Sequence, residues 1–239
     1  MNRGKVLIDG DIIAYRAAFS TQDDLPQDAK EKVDSLMMYI FDETIELPFP
    51  SKFEYQTYLT GKTNFRFDVA KSYPYKGNRQ SSEKPRHLGT ARDHMVDKYS
   101  AVISVDEEAD DLISKAAAEL NYDCVVASVD KDMLQIPCWH FNFMRGEWTK
   151  VDEWSGTKFF YTQILTGDAA DNIKGIYGIG PVKAKKILAD CDTEESLWEA
   201  CVKAYDGDVD RIIENARLLW LRREEGEMWL PPVNEGDTL

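Results

Sequence analysis

No apolar stretch in this 239-residue chain approaches the roughly 20 residues that cross a bilayer, so a membrane-spanning protein is excluded. Basic residues are the minority, with 29 Lys and Arg against 43 Asp and Glu and a formal net charge of −14. A protein living by unspecific attraction to phosphate alone has the opposite balance. The four cysteines, Cys124, Cys138, Cys191 and Cys201, form no CxxC pair, and histidine is scarce, so a zinc site is not expected. Cys124 lies in an apolar run and reads as a buried thiol in a reducing cytoplasm. The opening MNRGKVLIDGDII is interrupted by Asp9 and Asp11 and reads as a first core strand rather than a signal peptide. With 43% hydrophobic residues the chain can build a core, which excludes general disorder.

The positive charge that is present is concentrated. Residues 71–98 hold seven Lys or Arg against three acids, and residues 173–188 hold four lysines and no acid. Two basic islands in an acidic chain can grip a polyanion locally while the remainder repels it. The same islands are also compatible with ordinary solvated faces.

Strand and helix patterns alternate through the first two thirds of the chain. Residues 5–8, 53–59, 124–129 and 140–144 read as strands, the third being a β-branched apolar run suited to a central parallel strand. Helical spacing covers residues 12–19 and 28–41. It recurs over 107–120, where Ala109, Leu112, Ile113, Ala116, Ala117 and Leu120 share one face and Asp106 is the expected N-cap. Residues 61–90 read as loop. From residue 159 onward helices dominate, and Pro231 and Pro232 open a loose tail. The expectation is an α/β core with a mostly parallel central sheet over residues 1–158 and a helical part over 159–239.

The acids cluster where such a sheet places ligands. Asp9 follows the first strand, Asp130 and Asp132 follow the third, and Glu108, Asp110 and Asp111 fall in the first turn of a helix. Asp168 and Asp171 stand three apart in TGDAADN. Residues just past the C-terminal ends of parallel strands gather along one edge. Crowded carboxylates repel unless cations neutralise them or their pKa values rise. An all-oxygen donor set suits Mg²⁺ or Mn²⁺, and two such ions about 4 Å apart can clamp a phosphodiester. Singly, Asp168 or Asp171 could equally cap a helix, and Asp106 to Glu108 could complement a helix dipole. The joint pattern carries the metal reading.

Tyr75, Lys76 and Arg79, in YKGNR, combine two cations three apart with a ring on which a base can stack. In the hairpin around Gly175, Gly178 and Gly180, glycines allow tight turning and Pro181 suits the first turn of the next helix, whose exposed N–H groups face an anion. Lys183 and Lys186 then share a helix face, the pattern of a helix-hairpin-helix that holds duplex phosphates without reading bases.

In order, IDGD, FR…YKGNR, EEADD, SVDKD and TGDAADNIKGIYGIG resemble the 5′-nuclease family, over roughly residues 5–190. The pattern is most similar to the short 5′→3′ exonucleases of tailed bacteriophages. The resemblance implies a resolvase- or PIN-like core and a two-metal hydrolase that cuts DNA at 5′ ends or 5′ flaps, with RNA–DNA primers as a further candidate. It implies that Asp9, Glu108, Asp110 and Asp111 hold one ion, and that Asp130, Asp132, Asp168 and Asp171 hold or orient the second. Lys76 and Arg79 would touch the scissile phosphate, and Tyr75, Gly175, Gly178, Gly180, Lys183 and Lys186 would meet DNA. A K⁺ ion at the hairpin, an arch over residues 80–99 and a cytoplasmic monomer are further expectations.

Two departures stand out. Where the family carries a metal-site Asp before the Phe65-Arg66 pair, this sequence offers Gly61, with Asp68 out of register, and the arch segment is short. Two other readings remain at this point. A haloacid-dehalogenase-type phosphatase would use Asp9 as nucleophile and the pair Asp168 and Asp171, but needs a strand before the latter. A structure-specific DNA-binding module with a degraded site would explain Gly61.

Overall fold

The computed structural model describes residues 4–45, 53–79 and 83–232. The first three residues of the opening segment, residues 80–82 of the expected arch and residues 233–239 of the tail lie outside the described residues. In chain order the elements are β1 (Gly4–Asp9), α1 (Gly10–Ser20), α2 (Pro26–Ile45), β2 (Phe53–Leu59), α3 (Arg66–Val69), α4 (Leu88–Tyr99), β3 (Val102–Ile103), α5 (Ala109–Glu119) and β4 (Cys124–Ala127). They continue with β5 (Trp139–Asn142), β6 (Glu147–Lys150), α6 (Glu153–Thr166), β7 (Gly167–Asp168), β8 (Ile173–Lys174), α7 (Pro181–Ile187), α8 (Glu194–Ala204) and α9 (Val209–Leu219). Short 3-10 helices occupy Gly77–Arg79 and Lys131–Gln135.

The chain forms two compact units. Of the described residues, the first comprises those within 1–64, 83–151 and 223–225, and the second those within 65–82, 152–222 and 226–239. A single division after residue 158 therefore differs from the structure, which puts residues 65–79 with the helical part and places the later boundary at 151.

In the first unit six strands lie in the order β3-β2-β1-β4-β5-β6, parallel throughout except for β6, which runs antiparallel to β5. Val6, Leu7 and Ile8 of β1 and Val125, Val126 and Ala127 of β4 are buried, as expected of strands covered on both faces. The order reverses between β1 and β4, the position where an α/β sheet opens a ligand crevice beyond its strand ends. Helix α1 starts directly at the end of β1, and a Cβ on Gly10 would stand 2.6 Å from the Tyr58 carbonyl oxygen, so a side chain there would push the helix off the sheet. The mostly parallel α/β architecture expected from the sequence is present.

Three local expectations are corrected. Residues 61–90 are not simply loop, since they hold α3, a 3-10 turn and the start of α4. Most of the expected arch, residues 88–99, is α4, whose Leu88, Ala91 and Met95 are buried in the core of the first unit with Ile13 and Met37. The N-cap of α5 is Glu108 rather than Asp106: its main-chain N–H donates to Asp111 Oδ2 at 3.1 Å in a capping box. Asp106 instead has φ 58°.

The second unit packs α6, α7, α8 and α9 around Phe160, Tyr161, Ile164, Leu197, Ile212 and Trp229. Arg66 of α3 is buried here, donating through Nε to the Leu218 carbonyl at 2.9 Å and through Nη2 to the Trp220 carbonyl at 2.8 Å. Those are orphan acceptors at the end of α9, so a buried cation satisfies groups the helix cannot.

Candidate functional site

The carboxylates of the first unit come from three segments far apart in sequence. Asp9 closes β1 and caps α1, accepting from Ile12 N at 3.4 Å. Ser128, one residue past β4, donates its hydroxyl to Asp9 Oδ2 at 2.7 Å and accepts from Asp130 N at 3.0 Å. Asp130 in turn caps the 3-10 helix, accepting from Asp132 N at 2.9 Å. The ends of two neighbouring strands are thus tied by one hydroxyl with two acids around it.

Burial pushes the Asp9 carboxyl up to about 7, against the bond from Ser128 and with added repulsion from Asp11 and Asp130. Asp11 is itself clasped by Arg92 and accepts from Thr60 N at 2.9 Å. Thr60 follows β2, and its hydroxyl accepts from Ala109 N at 3.0 Å, which fixes the first turn of α5 where Glu108, Asp110 and Asp111 sit. Glu108 and Asp111 are buried. Sequence patterns do not single out Thr60, Arg92 or Ser128, and they show Asp11 only as part of IDGD. The roles of these four residues depend on which strands and helices become neighbours.

Gly61 has a local cause. A Cβ there would meet the Ser104 carbonyl oxygen at 2.0 Å, and its N–H donates to Ser104 Oγ at 2.9 Å. No aspartate could stand at this position without moving the backbone past β3.

Among the described residues, no group of three or more Asp, Glu, His or Cys side chains is placed so that it could hold a metal ion. The donor set nevertheless fits a hard divalent cation. It consists of carboxylate and hydroxyl oxygens, and the repulsion from Asp11 and Asp130 that adds to burial at Asp9 is what a cation relieves. All four cysteines are free thiols, with Cys124, Cys138 and Cys201 buried, as expected for Cys124.

In the second unit, Asp171 lies in the turn between β7 and β8 and is gripped by YKGNR. The Tyr75 hydroxyl donates to Asp171 Oδ2 at 2.8 Å, Arg79 Nη2 reaches Oδ1 at 2.5 Å and Lys76 Nζ stands 3.8 Å from Oδ2. Main-chain contacts reinforce the clasp, from Lys76 N to Asp171 O at 2.9 Å and from Arg79 Nε to Ala170 O at 3.0 Å. Asp168 is buried and accepts from Ala170 N at 2.7 Å, closing the same turn. The structure therefore brings Tyr75, Lys76, Arg79 and Asp171 together across nearly a hundred residues of sequence. It also places helix α6, not a strand, before Gly167 and Asp168, which removes the support for the phosphatase reading.

The glycine-rich hairpin follows β8. Gly175 packs where a Cβ would meet the Thr166 and Gly167 backbone at 2.3–2.4 Å, and Gly178 has φ 78°. Pro181 is in the first turn of α7 behind an N-cap at Gly180, as expected. Lys183 folds back onto the Gly178 carbonyl at 2.8 Å, and both Lys183 and Lys186 are exposed.

No protein-family model matches the chain. It is 32% identical over 221 residues to DNA polymerase I of Bacillus subtilis, a match covering 82% of this chain and 24% of that protein. Over 161 residues it is 29% identical to flap endonuclease Xni of Shewanella putrefaciens, covering 61% of this chain and 62% of the relative. The solved structure of the bacteriophage T5 flap endonuclease with DNA and metal ions aligns with a TM-score of 0.62 at 17% identity, covering 91% of this chain and 89% of that one. The chain has the fold of the 5′-nucleases. The resemblance carried by its five ordered motifs is borne out. The chain spans about a quarter of the length of the DNA polymerase I relative and about three fifths of the flap endonuclease relative. No helix among the described residues is long and apolar enough to cross a membrane.

Proposed function

We propose that the protein is a divalent-metal-dependent 5′-nuclease, hydrolysing phosphodiester bonds at the 5′ ends or 5′ flaps of DNA. The observation that carries the reading is the convergence of acids at the reversal point of the parallel sheet, where Asp9 is held at about 7 by burial and by Asp11 and Asp130. Acids crowded on rigid elements, one of them kept from ionising by burial and by like charge, make an arrangement suited to cations. Asp9, Glu108, Asp110, Asp111, Asp130 and Asp132 are the residues that would hold Mg²⁺ or Mn²⁺. The chemistry two such ions supply when bound is generation of a nucleophile from water and stabilisation of the leaving oxygen.

The chain's own groups do the rest. Ser128 and the capping box of α5 fix the carboxylates in direction, so little reorganisation is needed when charge develops. Lys76 and Arg79 offer cations to the scissile phosphate, oriented by the clasp on Asp171. The hairpin around Gly178, followed by Lys183 and Lys186, acts as a helix-hairpin-helix holding duplex phosphates, with a K⁺ ion proposed at its carbonyls. Action as a monomer in the cytoplasm and use of RNA–DNA primers complete the proposal.

A time course with Mg²⁺ on 5′-labelled flap, nicked-duplex and RNA-primed substrates tests it. Release of short 5′ fragments supports the reading, and the ratio among the three substrates assigns the preferred one. Tight flap binding without cleavage would favour a degraded DNA-binding module, the reading that Gly61 first suggested.

A further inference from the structure

We propose that Glu214, on α9, is a positioning residue that holds the loop carrying Lys76 and Arg79 in its working conformation. The inference rests on the reading of those two cations as phosphate-facing groups. Between Phe65 and Arg79 the chain has only the four residues of α3 and one 3-10 turn, so its shape must be imposed by other contacts. Glu214 supplies three. Its Oε1 accepts from both Lys71 N and Ser72 N at 2.8 Å, and its Oε2 accepts from the Ser72 hydroxyl at 2.5 Å.

The carboxylate is itself braced. Arg211, one turn earlier on α9, stands 3.2 Å from Glu214 Oε2, donates to the Lys174 carbonyl at 2.8 Å and lies over the Tyr73 ring at 5.1 Å. Burial opposes ionisation of Glu214, but the Ser72 hydroxyl, the two amides and Arg211 outweigh it and keep the carboxyl below the usual range. An ionised acceptor bound to two amides and a hydroxyl is a strong anchor.

The anchor has a mechanical consequence four residues on. Lys76 has φ 52°, a left-handed backbone that is unfavourable for a non-glycine residue and persists only when its surroundings enforce it. On one side the enforcement is the bond from Lys76 N to Asp171 O. On the other it is Glu214 at Ser72, with the buried Arg66 fixing the start of the loop. Releasing the Glu214 end lets Lys76 relax toward ordinary backbone angles and turns its ammonium away from where Tyr75 and Asp171 hold it.

The test uses the full chain and the variants Glu214→Ala, Glu214→Gln, Lys76→Ala and the double variant Glu214→Ala/Lys76→Ala. Two readouts are taken: the single-turnover rate on saturating 5′-flap DNA with Mg²⁺, and hydrogen exchange at the Lys71 and Ser72 amides. Glu214→Ala is expected to slow turnover about tenfold with affinity little changed, while both amides exchange about tenfold faster. Glu214→Gln, which keeps an acceptor for the amides, restores most of both. Because Glu214 acts through the loop, its rate reduction and that of Lys76→Ala should fall well short of multiplying in the double variant, the remainder being what Arg79 loses. Wild-type turnover in Glu214→Ala, or rate reductions that multiply in the double variant, overturns the proposal. Unchanged exchange at Lys71 and Ser72 also overturns it and leaves Lys76 as read. Parent-like turnover in Lys76→Ala would instead strike at the catalytic reading of the loop.

Discussion

The Ser128 hydroxyl donates to Asp9 at 2.7 Å and accepts the main-chain N–H of Asp130 at 3.0 Å, so one small side chain joins the ends of β1 and β4. Ser128→Ala leaves a buried carboxylate short of a donor and an amide short of an acceptor. The expected destabilisation is about 1–3 kcal/mol, read as a lower urea midpoint with an unchanged slope. An unshifted midpoint would mean water replaces the hydroxyl without cost.

Asp9 should make the metal-free protein less stable as the pH rises. Its carboxyl, lifted by burial and by Asp11 and Asp130 to about 7, binds a proton more tightly folded than unfolded. The contribution is fully present below the unfolded pKa of about 4 and is lost as the pH climbs through 7. In EDTA, Asp9→Asn is therefore expected to stabilise the fold at pH 8 by about 2–4 kcal/mol and to change little near pH 4. Equal destabilisation at both pH values would contradict the assignment.

The opposite sign applies at Asp34. Burial works against its ionisation, but Lys98, Tyr99 and His94 bring the carboxyl down to about 2. Its stabilising contribution is present above about pH 4 and is lost as the pH falls through 2. The group is partly exposed, so Asp34→Asn should cost only about 1–2 kcal/mol at pH 7, and roughly half of that at pH 3. A cost independent of pH, followed by denaturant unfolding, would show that packing and not charge holds α2 to α4.

The hairpin should govern duplex affinity rather than turnover. Every DNA phosphate that the protein no longer neutralises lowers the salt slope of log K by roughly 0.9 on duplex DNA. Lys183→Ala/Lys186→Ala is expected to weaken binding to duplex-containing substrates evenly across sequences, since binding to phosphate carries no base information. Turnover at saturation should survive. Titration between about 50 and 200 mM salt checks this, and a slope equal to that of the parent would make the hairpin a core turn only.

Much of the fold is legible in the sequence, for physical reasons. The buried parallel strands announce themselves as apolar runs, and the alternating pattern of β2 matches Phe53–Leu59 to the residue. The acids at the start of α5 are visible because a helix's first turn favours carboxylates, which complement its dipole. Helix α4 escapes a sequence reading because its buried face is only Leu88, Ala91 and Met95 among polar neighbours, a pattern too sparse to stand out beside a basic loop. The clasp of Asp171 by Tyr75, Lys76 and Arg79 is not legible at all. It depends on packing between segments nearly a hundred residues apart, and in sequence both halves look like independent site motifs. The same holds for Arg66, whose burial makes sense only once the open carbonyls of α9 are beside it.

In the proposed function, the acids at the sheet edge work by holding divalent cations on a substrate with a free 5′ end. The most direct measurement is cleavage of a 5′-labelled flap duplex by the parent chain with Mg²⁺, with excess EDTA, and by Asp130→Asn with Mg²⁺, each alongside a binding assay. Short labelled fragments are expected from the parent with Mg²⁺ alone, with most cleavage lost in EDTA and in Asp130→Asn while the variant still binds DNA. Undiminished cleavage in EDTA, or an Asp130→Asn variant that cuts as fast as the parent, would contradict it.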